Sequence, residues 1–156
     1  MTQTAVALSN DPKAEIVEAL NQSVAETAVT TMLAQNFHWN VTGMAFGPLH
    51  DLFQKIYEDH FVAQDDLAER IKSLGGHAEG TLSGMVERSK VSEHDGHASD
   101  KDMIAAMQAA QETLAATLAG TGELAAAHGD TLTEDLCIAR GQEHEKFAWF
   151  LRSHLA

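Results

Sequence analysis

The sequence predicts an all-α protein: four main helices in a bundle, with a short helix in the long connection between the second and third. Three observations carry this. Ala, Glu, Leu, Gln and Met, all good helix formers, are plentiful. Apolar residues recur every three or four positions, without the long Val/Ile/Thr alternation of strands. The 156 residues include only two prolines, both placed where a helix would start. A hydrophobic fraction of 44% is enough for a folded core rather than a disordered chain.

Residues 1–10 read as a flexible N-terminal arm, and residues 11–156 as a single domain. Asp11-Pro12 opens the first helix as an N-cap followed by proline in the first turn. Its inner stripe is Ile16, Leu20, Val24, Thr27, Thr31, Ala34, His38 and Val41, and it stops before Gly43. Gly47-Pro48 starts the second helix. Leu52, Ile56, Ala63, Leu67, Ile71 and Leu74 form its stripe, and Gly75-Gly76 stops it. Residues 77–99, rich in Gly, Ser, His and charge, are too long for a tight hairpin, which makes room for the short helix. Ser99 caps the third helix over an acidic first turn. Ile104, Met107, Leu114, Leu118 and Leu124 face inward, and His128-Gly129 ends it. Thr131 to Glu134 reads as a capping box for the fourth helix, with Leu136, Ala139, Phe147, Phe150 and Leu151 as its apolar side. Four helices with one long crossover form the ferritin-like layout.

The net charge of −13, with His neutral, repels polyphosphate backbones and attracts cations. The single cysteine, Cys137, excludes an intramolecular disulfide, fits a reducing compartment and reads as a small buried residue. Neither a signal peptide nor an apolar run of about 20 residues is present, so the chain reads as cytosolic, with no membrane partner. Phosphate loops, nucleophile elbows and paired-cysteine zinc motifs are missing as well.

The chemistry concentrates between Asn36 and Gly76, where His38, His50, Asp65 and Glu69 are interspersed with apolar residues. Imidazole and carboxylate together suit a transition metal such as iron. At 100° per residue, His50, Gln54, Phe61 and Asp65 fall within about 60° of one another, with Glu69 about 40° further round. A solvated polar face would look similar. Phe53, Tyr57 and Phe61, interleaved with this stripe, indicate instead that it is covered, and a covered carboxylate needs a cation or strong hydrogen bonds. Asp65 follows His50 by 15 residues, which is about 22 Å along one helix. One site can hold both only if two chains build it, with second helices antiparallel about a two-fold axis and two identical sites per pair. His60, His77, His94 and His97 read as bystanders.

At these residues the chain resembles the Dps family, the mini-ferritins known as DNA-binding proteins from starved cells. The resemblance runs from about residue 14 to 154. It is carried by His38-Trp39-Asn40-Val41-x-Gly43, Phe46, His50, Asp65-Asp66-x-Ala68-Glu69-Arg70 and His144-Glu145-Lys146-x-x-Trp149-Phe150-Leu151. It implies a homododecameric shell that oxidises Fe²⁺, usually with hydrogen peroxide, stores the ferric mineral and protects against oxidative stress. It also implies His38 and His50 from one subunit, with Asp65 and Glu69 from its neighbour, as iron ligands, and Trp39 as a candidate electron donor. The family usually has an acidic ligand where this chain has Gln54. The neutral amide implies a ferroxidase with altered activity that holds Fe³⁺ less tightly and shifts towards Fe²⁺ or zinc. Asp130, Glu134 and Asp135 are candidates for an iron-entry pore at a three-fold axis; acids that favour a helix dipole account for them equally well. The first twelve residues contain no Lys or Arg, so weak DNA binding is expected. A DNA-compacting stress protein and a non-oxidising metal-buffering shell are the alternative functions.

Overall fold

A computed structural model describes residues 11–156; the arm expected at residues 1–10 lies outside them. Five helices follow in order: α1 Pro12–Asn40, α2 Phe46–Ser73, α3 Leu82–Arg88, α4 Asp100–Ala127 and α5 Thr131–Ser153. The short helix in the long connection is α3, and no described residue forms a strand.

Local chemistry sets the boundaries. Asp11 caps α1 by accepting from the Lys13 amide at 3.0 Å, with Pro12 in the first turn. Ser99 and Thr81 cap α4 and α3 in the same way. α2 ends in a Schellman turn: Gly75 takes φ +81°, and the Gly75 and Gly76 amides return to the Lys72 and Ile71 carbonyls. α4 ends identically through Gly129, at φ +73°, and Asp130. The N-cap of α5 is Asp130 rather than Thr131, which is already helical, so the capping box read from the sequence is one residue late. Asp130 thus closes α4, opens α5 and receives Arg70 of α2 at 3.0 Å.

α1 packs along α2 and α4 along α5, giving two long hairpins joined mainly where α1 meets α4. α3 lies on α1. Amide side chains of α1 pin the long connection: Asn21 to the His77 carbonyl, Gln22 to Arg88 and Asn36 to His94, at 2.7 to 2.9 Å. Every residue of the α1 stripe is buried, as are Leu52, Ile56, Ala63, Leu67 and Ile71 of α2 and Met103 and Met107 of α4.

The interior is not uniformly apolar. One apolar cluster centres on Phe37, Phe53, Ile56 and Met107. A second centres on Leu20, Leu67, Ile71 and Leu118, with Cys137 buried in it. Between them every long helix contributes buried polar residues: Glu26 and Thr27 from α1, His60 from α2, Gln111 from α4, and Arg140 and His144 from α5. This corrects the face assigned to α5. Ala139 is exposed, and the inner positions belong to Cys137, Arg140, His144, Phe147, Ala148 and Leu151. A hydropathy pattern cannot mark Arg140 and His144 as interior, because their burial depends on partners from other helices.

Phe53 is fully buried, with its ring centroid 5.6 Å from that of Phe37. Phe53→Ala should destabilise the fold by about 3–5 kcal/mol, read as a lower urea midpoint at unchanged slope; a loss under about 1 kcal/mol would show that this end of the core is not close-packed.

Candidate metal centre

The 41–45 turn folds the end of α1 against the start of α2, which brings His38 and His50 face to face. Their rings stack with centroids 3.6 Å apart and planes 18° apart. Nδ1 of each ring lies 2.7 Å from the backbone carbonyl oxygen of the other residue. A carbonyl oxygen can only accept, so each Nδ1 carries the proton. The tie therefore directs Nε2, the nitrogen left without a partner, to be the atom that binds a metal. The backbone itself supplies the orienting partner usually given by a neighbouring carboxylate or carbonyl. His38 is buried and His50 half-buried. Tyr57 meets the His38 ring edge-on at 5.3 Å, and Phe46 lies against His50 at 5.2 Å.

Gln54 sits one turn beyond His50. Its Nε2 donates to the Glu58 carboxylate at 2.8 Å, which leaves its carbonyl oxygen as the end open to a cation. Asp65 and Glu69 are further along α2, both exposed. The structure thus unites His38 and His50, keeps Gln54 on the adjoining turn, and leaves the two carboxylates apart from them. Among the described residues, no three His, Cys, Asp or Glu side chains of the one chain gather closely enough to hold a metal. The donor chemistry of the pair fits iron or zinc, and the two imidazoles are the donors that one chain brings together.

Trp39, the candidate electron donor, is 62% exposed, while Tyr57 meets the His38 ring edge-on. The sequence carried a hint of this, since Tyr57 lies among the aromatic residues of the same stripe. The acidic trio divides. The Asp130 carboxylate is already engaged by Arg70, the Thr133 amide and the Thr133 hydroxyl. Burial acts to raise its pKa, but these partners outweigh that and hold it below the usual carboxylate value. Glu134 lines a groove between α4 and α5, and Asp135 is exposed. Of the histidines set aside in the sequence, His77 and His97 are exposed and His94 half-exposed, while His60 is fully buried in the middle of α2.

Residues 17–156 match the family model described as Ferritin, a ferritin-like domain. The chain is 33% identical to the DNA protection during starvation protein 2 of Bacillus anthracis, over 90% of this chain and 97% of that one. Among solved structures, a Dps protein from Bacillus brevis superposes with a TM-score of 0.91 at 30% identity, covering 96% of this chain and all of that one. The Dps protein of Vibrio cholerae, described as a member of a broad superfamily of ferritin-like diiron-carboxylate proteins, gives 0.90 at 28% identity, covering 100% and 98%. A helical frame shared over nearly full length, together with the histidine pair at the α1–α2 turn, identifies the chain as a member of the Dps family of ferritin-like proteins.

Proposed function

We propose that the protein is a ferroxidase and iron-storage shell that oxidises Fe²⁺, preferably with hydrogen peroxide, and protects against oxidative stress. The observation that carries this reading is the reciprocal tie between His38 and His50, which holds two imidazoles with Nε2 free where α1 ends and α2 starts. Asp65 and Glu69 of a second copy complete the site when two α2 helices run antiparallel about a two-fold axis, as about 22 Å of helix between His50 and Asp65 requires. Phe61 and Trp39 support this arrangement, because both expose large apolar surface in the single chain (72% and 62%) and flank the same hairpin. The fuller assembly is a dodecamer, and Glu134 and Asp135 are the acids left to line an entry path at its three-fold axes. No described helix is long and apolar enough to cross a membrane, and we place the protein in the cytoplasm.

Iron enters as substrate. Each of two Fe²⁺ ions gives one electron to peroxide, whose O–O bond breaks. With two waters, two FeOOH units form and four protons are released. The two Nε2 atoms and the carboxylates hold Fe²⁺ and stabilise the higher charge as it develops. Consuming both electrons at one site limits release of hydroxyl radical. The amide at Gln54 supplies an oxygen without charge, so Fe³⁺ is held less tightly than by a carboxylate. That feature also favours a second reading, a shell that buffers Fe²⁺ or zinc without oxidising it. Peroxide consumed per Fe²⁺ oxidised separates the two: about one per two Fe²⁺ for the ferroxidase and none for the buffer.

His50→Ala should slow peroxide-driven iron oxidation at least about tenfold in stopped flow and weaken anaerobic Fe²⁺ binding, since it removes one ligand and the ring stacked on the other. Equal rates for the variant and the wild type would sink the ferroxidase site. Gln54→Glu adds the missing carboxylate and should tighten anaerobic Zn²⁺ and Fe²⁺ binding, measured by calorimetry; unchanged affinity would place residue 54 outside the coordination shell. DNA is a weak partner on this reading, given the net charge of −13 and an N-terminus without Lys or Arg. Duplex DNA should therefore show no mobility shift at physiological salt, and tight binding there would favour the DNA-compacting function instead.

A further inference from the structure

The polar layer between the two apolar clusters contains a closed ring of hydrogen bonds that the metal site does not use. The Nη1 and Nη2 atoms of Arg140 donate to the two Asp59 carboxylate oxygens at 3.2 and 2.7 Å. His60 Nδ1 donates to Asp59 at 3.0 Å. A Gln111 amide proton goes to His60 Nε2 at 2.9 Å, and the Gln111 carbonyl accepts from His144 Nδ1 at 2.8 Å. His144 Nε2 faces Arg140 Nη2 at 3.4 Å, closing the circuit. His60, Gln111 and His144 are fully buried, and the ring reaches solvent at Asp59 and, to a smaller extent, at Arg140.

The circuit fixes every proton. A carboxylate accepts, so His60 Nδ1 must carry its proton and Nε2 must be bare to accept from Gln111. The Gln111 carbonyl then requires a proton on His144 Nδ1, and Arg140 requires a bare His144 Nε2. Both histidines are neutral, and the only net charges are the Arg140–Asp59 pair. A further proton has nowhere to go. On His144 it points at the Arg140 guanidinium. On His60 it meets the Gln111 NH₂, and turning that amide over sets it against His144 Nδ1–H. Asp59 on α2 and Arg140 on α5 are the charged groups in contact with the two imidazoles. α4 contributes neutral Gln111, and no residue of α1 or α3 bonds to the ring.

Direct packing of α2 on α5 is sparse, because each helix spends its apolar face within its own hairpin. The ring therefore ties α2 to both α4 and α5, with the Arg70–Asp130 pair as a second tie near the α4–α5 turn. We propose that the ring is an acid-sensitive latch between the two helical hairpins, which opens when a proton enters at His144 or His60 and frees α4–α5 from α1–α2.

Burial lowers both histidine pKa values; the neighbouring His60 and Arg140 lower that of His144 further, while Asp59 partly offsets the fall for each. For Asp59, burial acts to raise the pKa, but its bonds from His60 and Arg140 prevail and keep it ionised. The sign follows. Below the ordinary histidine value of about 6.5 the unfolded chain binds two protons that the closed ring excludes. The latch is fully closed above that pH, and its contribution declines as pH falls.

The test uses the assembled wild-type protein and His144→Gln, in which one amide both donates to Gln111 and accepts from Arg140 but does not titrate. Between pH 6.5 and 4 the wild-type unfolding constant in urea should rise more steeply than that of His144→Gln, by close to tenfold per pH unit. Deuterium exchange at pH 5, corrected for the intrinsic rate, should increase first in α4 and α5 of the wild type. Parallel pH profiles, or acid-induced exchange that rises equally in all helices, would overturn the latch. If His144→Gln does not fold, histidine-selective NMR of the wild type decides. Two imidazoles that stay neutral at pH 5 until α5 opens support the latch; ordinary titration near 6.5 in the closed protein refutes it.

Discussion

A buried polar group must find its partners inside the protein, and this requirement organises the bundle more than its apolar stripes do. Glu26 is fully buried, and its carboxylate is satisfied by the Thr117 hydroxyl, the Gln22 amide and the Lys90 backbone amide. These come from α4, α1 and the long connection, so the carboxylate fixes three segments at once. The Asp59–His60–Gln111–His144–Arg140 circuit does the same for α2, α4 and α5. Apolar contacts tolerate small slips of one helix along another. A circuit of directional hydrogen bonds does not, so the polar layer sets the register in which the two apolar clusters then pack.

The metal centre obeys the same rule at the end of the α1–α2 hairpin. A buried histidine beside a helix end needs one nitrogen satisfied, and the final carbonyls of α1 have no partner within the helix. Pairing His50 Nδ1 with the His38 carbonyl answers both needs, while His38 Nδ1 is satisfied by the His50 carbonyl in the first turns of α2. A structural solution for the end of α1 thereby leaves two Nε2 atoms prepared for a cation, without any dedicated second-layer carboxylate. What the hairpin lacks is negative charge. On the reading proposed above, Asp65 and Glu69 of a second copy supply it, because they stand too far along α2 to reach the pair within one chain.

Asp130 shows how one residue can serve several levels. It ends one helix, begins the next and anchors Arg70 from a third. An acid so engaged is structural first, which separates it from Glu134 and Asp135 despite their proximity in sequence.

The sequence alone determined the helices and most of their ends, because periodic apolar residues, Asx and Ser caps and glycines at left-handed positions act over a few residues. It also determined that His50 and Asp65 cannot share a site within one chain, since helix rise is fixed. Three things were decided only by the tertiary structure: the mutual tie of His38 and His50, the engagement of Asp130, and the burial of His60, Arg140 and His144. Each depends on partners 12 to 81 positions away. A polar residue on a helix looks the same in sequence whether it meets water or a matching group on another helix. The docking of the two hairpins removed that ambiguity, by excluding water and leaving these side chains only one another to bond.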